Sequence, residues 1–441
     1  MEGRLSFPPV PFAENDSPIT MVRDTRFDPP LAIDGDMADD SKVLTTPVPA
    51  DAKPKGNKYP FWAPKFWHGM TLPVWLRLVA RNRFAFSPRG LPPAFAITIV
   101  SVINSMASGL QWLFRHRKIA RTKIEVPPIF IIGHWRSGTT FLHELMVLDE
   151  RFAFPTTFEC FAPNESLILA RFVTRWLSWL LPKQRPMDNM AAGWEHPQED
   201  EFALCNMGLG SPYTQMAFPN RPQGEEYLDM EDVPVEELAR WKAGLLRFLK
   251  TLTWRSGKPI VLKSPPHTAR IRLLLELFPD ARFVHIVRDP YVIFSSTVRL
   301  WKSLYDVQGF QKPRFVGLGD YVFRMFNRMY RAYFKQRDLI PAANFVEVRY
   351  ERLVQDPVGE VQALYEHLNL GEFEMARPQI EAYATKEKDY KTNRYELPPA
   401  TRDEITRRWG EFIERLGYPI REAKPNETTL VESFGFRPSG G

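Results

Sequence analysis

The chain has 441 residues, a formal net charge of +6 and a sequence pI near 9.1. This modest positive excess favours an anionic ligand or surface, but it is too small to indicate nucleic-acid binding. Only two cysteines occur, Cys160 and Cys205, which excludes a disulfide framework and leaves too few ligands for a thiolate metal site. The N-terminal sequence shows no apolar core followed by a cleavage site, so we expect a protein of the reducing cytoplasm rather than an exported one.

The two ends of the chain are predicted as tails. Residues 1–58 run through PPVPF, DPP, TTPVPA and DAKPKGNK, which combine proline, charge and small polar groups. So few apolar side chains cannot offset the entropy of ordering, and the segment is predicted to be a disordered, proline-rich tail. Residues 423–441 are predicted as a C-terminal tail.

Residues 59–122 are predicted as an apolar, aromatic, helical extension. Between Arg89 and Arg115 the stretch 90–114 contains no charged residue and is just long enough to cross a bilayer as a helix. Asn104, Gln111, several hydroxyl groups and a Pro-Pro pair dilute its hydrophobicity, which disfavours insertion. Three alternatives stay open, namely a membrane-spanning helix, which this dilution disfavours, peripheral contact of residues 59–119 with the inner face of a membrane, and burial inside the protein.

From 123 to 422 short β-rich runs alternate with helical ones, which is typical of an α/β domain with a parallel sheet. Near-continuous apolar runs predict strands that are covered on both faces, at 129–132, 260–262, 283–287 and 345–348. Helices are predicted near 139–148, 268–278, 290–304, 318–338, 357–369 and 402–416. Aromatic and methionine residues in the fourth of these are predicted as core packing, namely Tyr321, Phe323, Met325, Phe326, Met329, Tyr330 and Phe334.

A strand, a tight turn and a helix start follow one another at 129–142, in the order of a phosphate-binding loop. Gly133 and Gly138 permit a backbone path that turns N–H groups inward, and the helix directs its positive end at the same point. The predicted nucleotide-binding residues of this loop are Gly133, His134, Trp135, Arg136, Ser137, Gly138, Thr139 and Thr140. The fold is therefore predicted as a P-loop-like parallel sheet flanked by helices, with an N-terminal helical extension.

Thr139 stands where the ATP-binding P-loop requires lysine. A nucleoside triphosphate needs that lysine and Mg²⁺ to manage the charge on its terminal phosphates. A nucleotide with one 5′-phosphate and a sulfate carries less charge, which Arg136 can serve. The substitution argues against a nucleotide kinase or NTPase, which stays open as an alternative function.

The sequence GHWRSGTT resembles the 5′-phosphosulfate loop of sulfotransferases that use PAPS (3′-phosphoadenosine 5′-phosphosulfate). In that family an arginine and a serine eight residues later bind the 3′-phosphate, and Arg288 and Ser296 match this spacing. The resemblance covers about 61–418 and is closest to bacterial members that share features with tyrosylprotein sulfotransferases. It implies PAPS as co-substrate, PAP as product, and in-line transfer of a sulfuryl group to a hydroxyl or amine with a general base and no metal.

Three residues are candidates for the transfer chemistry. Glu159 is flanked by apolar residues that would raise its pKa if buried, and by resemblance it lies near the base of tyrosylprotein sulfotransferases. Lys263 ends a predicted strand and resembles the lysine that contacts the leaving oxygen in related enzymes. His267 is the competing base, although its spacing from Lys263 departs from that of cytosolic sulfotransferases. An equally good interpretation makes His267 a helix-start residue that bonds backbone groups.

Several assignments rest on weaker patterns. The acidic run around Glu199 lacks the His-x3-His spacing of a helical metal site, so acceptor contact or an exposed acidic loop is favoured over metal binding. Arg394 is assigned to covering the nucleotide. The acceptor is predicted to be a small molecule, lipid or glycan, and the aromatic extension favours a lipid, glycolipid or other amphipathic acceptor over a polysaccharide or tyrosine. A non-catalytic membrane-surface protein on the same fold is the remaining alternative.

Overall fold

The computed structural model describes residues 63–176, 179, 193–387 and 397–421. The predicted tails at 1–58 and 423–441 lie outside these residues. The predicted boundaries of the extension and of the main domain stay predictions.

A four-stranded parallel sheet forms the centre of the molecule. Its strands are β1 (Ile129–Ile132), β2 (Val261–Lys263), β3 (Arg282–Val287) and β4 (Phe345–Arg349), in the order β2-β1-β3-β4. Ile129 pairs with Val261 on one side and with Arg282 on the other. The chain leaves β1 for one edge of the sheet and then returns to the other side of β1. A ligand crevice is expected at the carboxyl ends of the strands beside such a reversal of strand order.

Both faces of the sheet are covered, because alternate side chains of each strand enter separate apolar clusters. Phe130 and Ile132 of β1 pack in the larger cluster, whereas Ile129 and Ile131 pack in a second one on the opposite face. All four are at most 1% exposed. This two-sided burial explains why the strands read as continuous apolar runs, and it confirms the predicted α/β class.

Helices surround the sheet. The N-terminal extension contains a 3₁₀ turn (Phe66–Gly69), α1 (Leu72–Arg81) and α2 (Leu91–Arg121). The next group is α3 (Thr139–Met146), α4 (Thr157–Phe161), α5 (Ser166–Trp176), α6 (Asp200–Asn206) and α7 (Val235–Ser256). A 3₁₀ turn (Pro265–Ala269) follows β2 and precedes α8 (Ile271–Leu277), α9 (Pro290–Gln308) and α10 (Leu318–Gln336). The last group is α11 (Tyr350–Gln355), α12 (Pro357–Leu368), α13 (Arg377–Glu387) and α14 (Pro399–Arg415).

The predicted strands and helices are confirmed, with ends that differ by a few residues. The largest change is that 268–278 splits into the 3₁₀ turn and α8. The predicted core residues of α10 are buried, apart from Phe334, which is partly buried. Among the described residues, α2 is long and apolar enough to cross a membrane by length and composition.

Candidate active site

The loop between β1 and α3 has the backbone of an anion cradle. Gly133, Arg136 and Gly138 have φ values of 145°, 71° and 103°. A Cβ atom at Gly138 would lie 2.3 Å from Cδ2 of Tyr350, and one at Gly133 would lie 2.5 Å from the carbonyl oxygen of Ile286. Both positions therefore exclude any residue with a side chain, and they let the loop close against β3 before α3 begins at Thr139.

Two polar groups show how this loop is held and what it offers. The Gly133 N–H donates to Oγ1 of Thr268 at 2.7 Å, which ties the loop to the 3₁₀ turn after β2. Oγ of Ser137 is buried and has no hydrogen-bond partner among the described residues. Together with the N-terminus of α3, this unpartnered hydroxyl suits an anionic ligand in the loop.

The predicted 3′-phosphate residues lie beside the loop. Nε of Arg136 donates to Oγ of Ser296 at 2.9 Å, and a guanidinium nitrogen of Arg288 donates to the Arg136 carbonyl oxygen at 3.1 Å. The Arg288 guanidinium lies 4.0 Å from the centre of the Tyr350 ring. Hydrogen bonds thus link three separate elements, because Arg136 contacts Ser296 through its side chain and Arg288 through its backbone carbonyl. Guanidinium groups are the donors best suited to a phosphate.

Two loop residues predicted to bind nucleotide direct their side chains into the core. The His134 ring is fully buried against Phe326, and burial lowers its pKa to about 4. Trp135 is also buried, and its Nε1 donates to the Tyr213 hydroxyl at 2.9 Å. Only the backbone of these two residues is therefore available to line the loop, and their assignment to nucleotide binding stays a prediction.

Lys263 ends β2 in a buried ion pair. Its Nζ lies 2.6 Å from Oε1 of Glu199, and the Tyr213 hydroxyl donates to Oε2 of the same carboxylate. Lys263 is 1% exposed and Glu199 is 9% exposed. Tyr213 also accepts the hydrogen bond of Trp135. A continuous series of hydrogen bonds therefore connects the loop between β1 and α3 to Lys263.

Glu159 lies on α4, and only one of its two carboxylate oxygens accepts hydrogen bonds from the described residues. Its Oε2 accepts from the Thr156 N–H, from the Thr156 hydroxyl and from Arg255, each at 3.0 Å. Among the described residues no donor contacts Oε1. Burial raises the pKa of Glu159 despite the opposing effects of Arg255 and Thr156.

Cys160 follows Glu159 on α4 and lies near the Lys263–Glu199 pair. Burial raises the pKa of the Cys160 thiol well above its usual value, and the charges of Asp200, Glu159, Lys263 and Glu199 also act on it. The Cys160 thiol therefore lies within electrostatic range of both Glu159 and Lys263.

His267 does not face the crevice. It is fully buried, and its Nε2 lies 2.6 Å from Oδ2 of Asp200, whose Oδ1 accepts a hydrogen bond from the Ser264 hydroxyl at 2.7 Å. Burial opposes ionisation of Asp200, but the interactions with His267 and Ser264 lower its pKa overall. This placement agrees with the alternative in which His267 serves the structure of a helix start. Its assignment as the base stays a prediction that the geometry does not favour.

The acidic run at the start of α6 is not an exposed loop. Glu199 pairs with Lys263, Asp200 with His267, and Glu201 with Arg270, whose two amines lie 2.6 and 3.1 Å from the Glu201 oxygens. Asp200 and Glu201 are fully buried. Three consecutive acidic residues therefore hold the basic segment 263–270 in place, and the expectation of a solvent-exposed loop is wrong.

Sequence reasoning missed Glu199, Tyr213 and Tyr350 as members of this site. Glu199 had a detectable signal, because three consecutive acids match the basic side chains of KSPPHTAR, which recur every three or four residues. No signal was available for Tyr213 or Tyr350, whose neighbours are distant in the chain. Arg394 lies outside the described residues, so its assignment stays a prediction.

The chain is similar to known sulfotransferases over most of its length. A profile described as the sulfotransferase family matches residues 127–374. The omega-hydroxy-beta-dihydromenaquinone-9 sulfotransferase Stf3 of Mycobacterium bovis is 46% identical over 365 residues, which are 82% of this chain and 94% of that protein. The Stf3 protein of Mycobacterium tuberculosis gives the same values.

Solved structures share the fold at lower sequence identity. The sulfotransferase STF9 from Mycobacterium avium has a TM-score of 0.58 and 17% identity, and the match covers 80% of this chain and 98% of that one. Sulfotransferase STF1 from Mycobacterium tuberculosis has a TM-score of 0.53 and 20% identity, over 70% of this chain and 85% of that one. These matches confirm the fold predicted from the sequence.

Proposed function

The chain belongs to the sulfotransferase family, and we propose that it transfers the sulfuryl group of PAPS to a hydroxyl group of a menaquinone-type lipid. The observation that carries the proposed donor is the convergence of Arg136, Arg288 and Ser296 beside a loop that tolerates only glycine at two positions. The 46% identity to a sulfotransferase named for a hydroxylated menaquinone supports the proposed acceptor. It also agrees with the sequence-based preference for an amphipathic acceptor.

The residues present fit PAPS. The loop from Gly133 to Thr140, the unpartnered Ser137 hydroxyl and the N-terminus of α3 suit the phosphosulfate. Arg288 and Ser296 suit a second phosphate, and the Tyr350 ring fixes the Arg288 guanidinium. Thr139 in place of the P-loop lysine disfavours a nucleoside triphosphate.

In the proposed reaction the acceptor oxygen forms a bond to sulfur while the bond from sulfur to the 5′-phosphate oxygen breaks, and PAP leaves with the electron pair. Oε1 of Glu159 takes the acceptor proton. The three donors on Oε2 orient the carboxylate, and burial raises its pKa, which favours proton transfer near neutral pH.

Lys263 supplies positive charge to the sulfate and to the leaving oxygen. Glu199 acts as a positioning residue, because both of its oxygens accept hydrogen bonds and one of them holds the Lys263 ammonium. His267 has no part in proton transfer in this proposal, since its imidazole is enclosed with Asp200.

The donor is tested by thermal denaturation of the full chain with PAP and, separately, with ATP and Mg²⁺. At about a hundred times its dissociation constant, PAP should stabilise the protein by about 2.7 kcal/mol. Ser296→Ala combined with Arg288→Gln should remove this shift, whereas Lys263→Ala should retain it because Lys263 faces the sulfate. Stabilisation by ATP with Mg²⁺ and none by PAP would refute the proposed donor.

A further inference from the structure

Helix α2 carries its apolar side chains on the outside of the protein. At 3.6 residues per turn, Phe95, Met106 and Leu113 fall on one line of the helix, and they are 69%, 68% and 60% exposed. Further exposed apolar residues flank this line, namely Leu91, Ile99, Val102, Ile103, Leu110 and Phe114. Ordinary soluble surfaces carry such residues singly, so a continuous face of this kind indicates a binding surface.

The opposite face of α2 is fixed to the protein along its length. The side-chain amide of Asn104 donates to the carbonyl oxygens of His68 and Met70 at 2.6 and 3.1 Å. Oε1 of Gln111 accepts from the Leu167 N–H at 2.9 Å. A helix held by buried polar contacts on one side cannot be surrounded by lipid, so α2 is attached to the domain and does not stand apart from it.

Helix α5, which contacts α2 through this Gln111 bond, continues the pattern. Ile168, Phe172 and Trp176 recur every four residues, and the last two are 58% and 63% exposed. Arg171 and Arg175 are exposed on the same helix. Aromatic residues alternating with arginines are typical of helices that lie at a membrane interface.

The stretch of chain that contains α2 carries charge of only one sign. Asp51 and Glu125 are consecutive acidic residues in the chain, and thirteen lysines and arginines lie between them. Arg117 and Lys118 are exposed at the C-terminal end of α2, next to the apolar face. Basic residues at the end of an apolar face complement an anionic lipid surface.

From these observations we propose that α2 and α5 form a docking surface that lies in the plane of an anionic membrane, with the exposed side chains inserted at the boundary between headgroups and acyl chains. This surface, defined by the exposed apolar residues of the two helices, is independent of the nucleotide site. The inference does not rest on the proposed acceptor, although an enzyme docked in this way would meet a lipid acceptor where that lipid resides.

The test is co-sedimentation of the full-length protein with vesicles of phosphatidylcholine alone and of equimolar phosphatidylcholine and phosphatidylglycerol. We expect binding to the anionic vesicles and a partition coefficient that falls at least about tenfold in Phe95→Asp/Met106→Asp/Leu113→Asp. The matched control places aspartate at Val235, Val316 and Met375, which are 78%, 82% and 57% exposed on other elements, and it should bind like the wild type. A second variant, Arg117→Gln/Lys118→Gln, should weaken binding to the anionic vesicles and leave the apolar face intact.

Thermal melting of each variant shows whether it is folded. The proposal is overturned if the wild type does not bind anionic vesicles. It is equally overturned if the control variant loses as much binding as the α2 variant Phe95→Asp/Met106→Asp/Leu113→Asp. It is also overturned if sedimentation without lipid reveals a dimer that the α2 variant dissociates, since a second copy would then cover this face. Resistance to extraction from vesicles by alkaline carbonate would contradict surface docking and indicate a spanning helix.

Discussion

At the scale of single residues, the two oxygens of Glu159 have different environments. Three donors fix Oε2, whereas Oε1 meets no donor in the part of the chain that the structure describes. Glutamine at this position can still accept the hydrogen bonds of Thr156, so the local helix cap survives the substitution. The loss of the proton-accepting oxygen is then separable from a loss of structure.

We therefore predict that Glu159→Gln lowers kcat by about 10²-fold or more while PAP binding is unchanged. Glu199→Gln should also lower kcat, because it removes the charge that holds Lys263 in position. This variant should keep the acidic limb of the pH–rate profile, whereas Glu159→Gln should lose it. The measurement is the pH dependence of kcat for both variants. Full activity of Glu159→Gln would show that another residue is the general base.

Glu165 provides a second residue-scale prediction. Its carboxyl group is fully buried without a hydrogen-bond partner in the described structure, and burial raises its pKa from 4.5 to about 8. Between these values the unfolded chain releases this proton while the folded protein retains it. The folded state should therefore lose about 1.4 kcal/mol of stability per pH unit as pH rises through this window.

Glu165→Gln should remove this dependence, so the variant should become progressively more stable than the wild type from about pH 5 to about pH 8. Urea denaturation of both proteins across that range measures the difference, and groups common to both proteins cancel. A difference in unfolding free energy that stays constant with pH would show that the Glu165 carboxyl is not buried in its neutral form.

Sequence reasoning predicted the backbone of the site better than its side chains. The roles of Gly133 and Gly138 follow from the local order of strand, turn and helix, whereas Arg288 and Ser296 were assigned through the resemblance to the sulfotransferase family. The inward side chain of His134 depends on Phe326 of a distant helix, so no local pattern could reveal it.

At the scale of elements, the contact between α6 and the turn Pro265–Ala269 is built from buried charge. Breaking one partner of a buried pair leaves an uncompensated charge and costs about 3–5 kcal/mol. Glu201→Ala should therefore lower the unfolding free energy by that amount, since Arg270 would remain fully buried under Trp241.

Glu195→Ala is the matched control, because Glu195 lies in the same acidic segment but is exposed, and it should change stability by less than about 0.5 kcal/mol. Denaturant melts of the two variants give the comparison. Equal stabilities would mean that the Arg270–Glu201 pair contributes nothing to holding the turn.

An element could be predicted from the sequence when the residues that define it lie close together along the chain. The strands were found because two-sided burial gives continuous apolar runs, but the three ion pairs join residues more than sixty positions apart, and the acidic run looked exposed for that reason. The missed helix α7 is different. Leu238, Trp241, Leu245 and Leu252 recur with a helical period, so its sequence contained a usable signal.

At the scale of the whole molecule, the reversal of strand order beside β1 brings the functional groups together. Loop 133–138, Lys263 at the end of β2 and Arg288 after β3 lie at the carboxyl edge of the sheet, although more than 150 residues separate the first from the last. The sequence predicts this meeting through the general behaviour of open parallel sheets. It does not predict the outward face of α2, because the packing of one helix against its neighbours depends on the assembled fold.

The proposed transfer of a sulfuryl group from PAPS to a lipid hydroxyl is tested most directly with sulfur-labelled PAPS and a hydroxylated menaquinone. We expect label in the lipid fraction with the wild type, none with the same menaquinone lacking the hydroxyl, and a rate about 10²-fold lower with Lys263→Ala. Label transfer to a different hydroxyl compound alone would contradict the acceptor and keep the donor. No transfer from PAPS to any hydroxyl or amine acceptor, together with phosphoryl transfer from ATP, would contradict the claim itself.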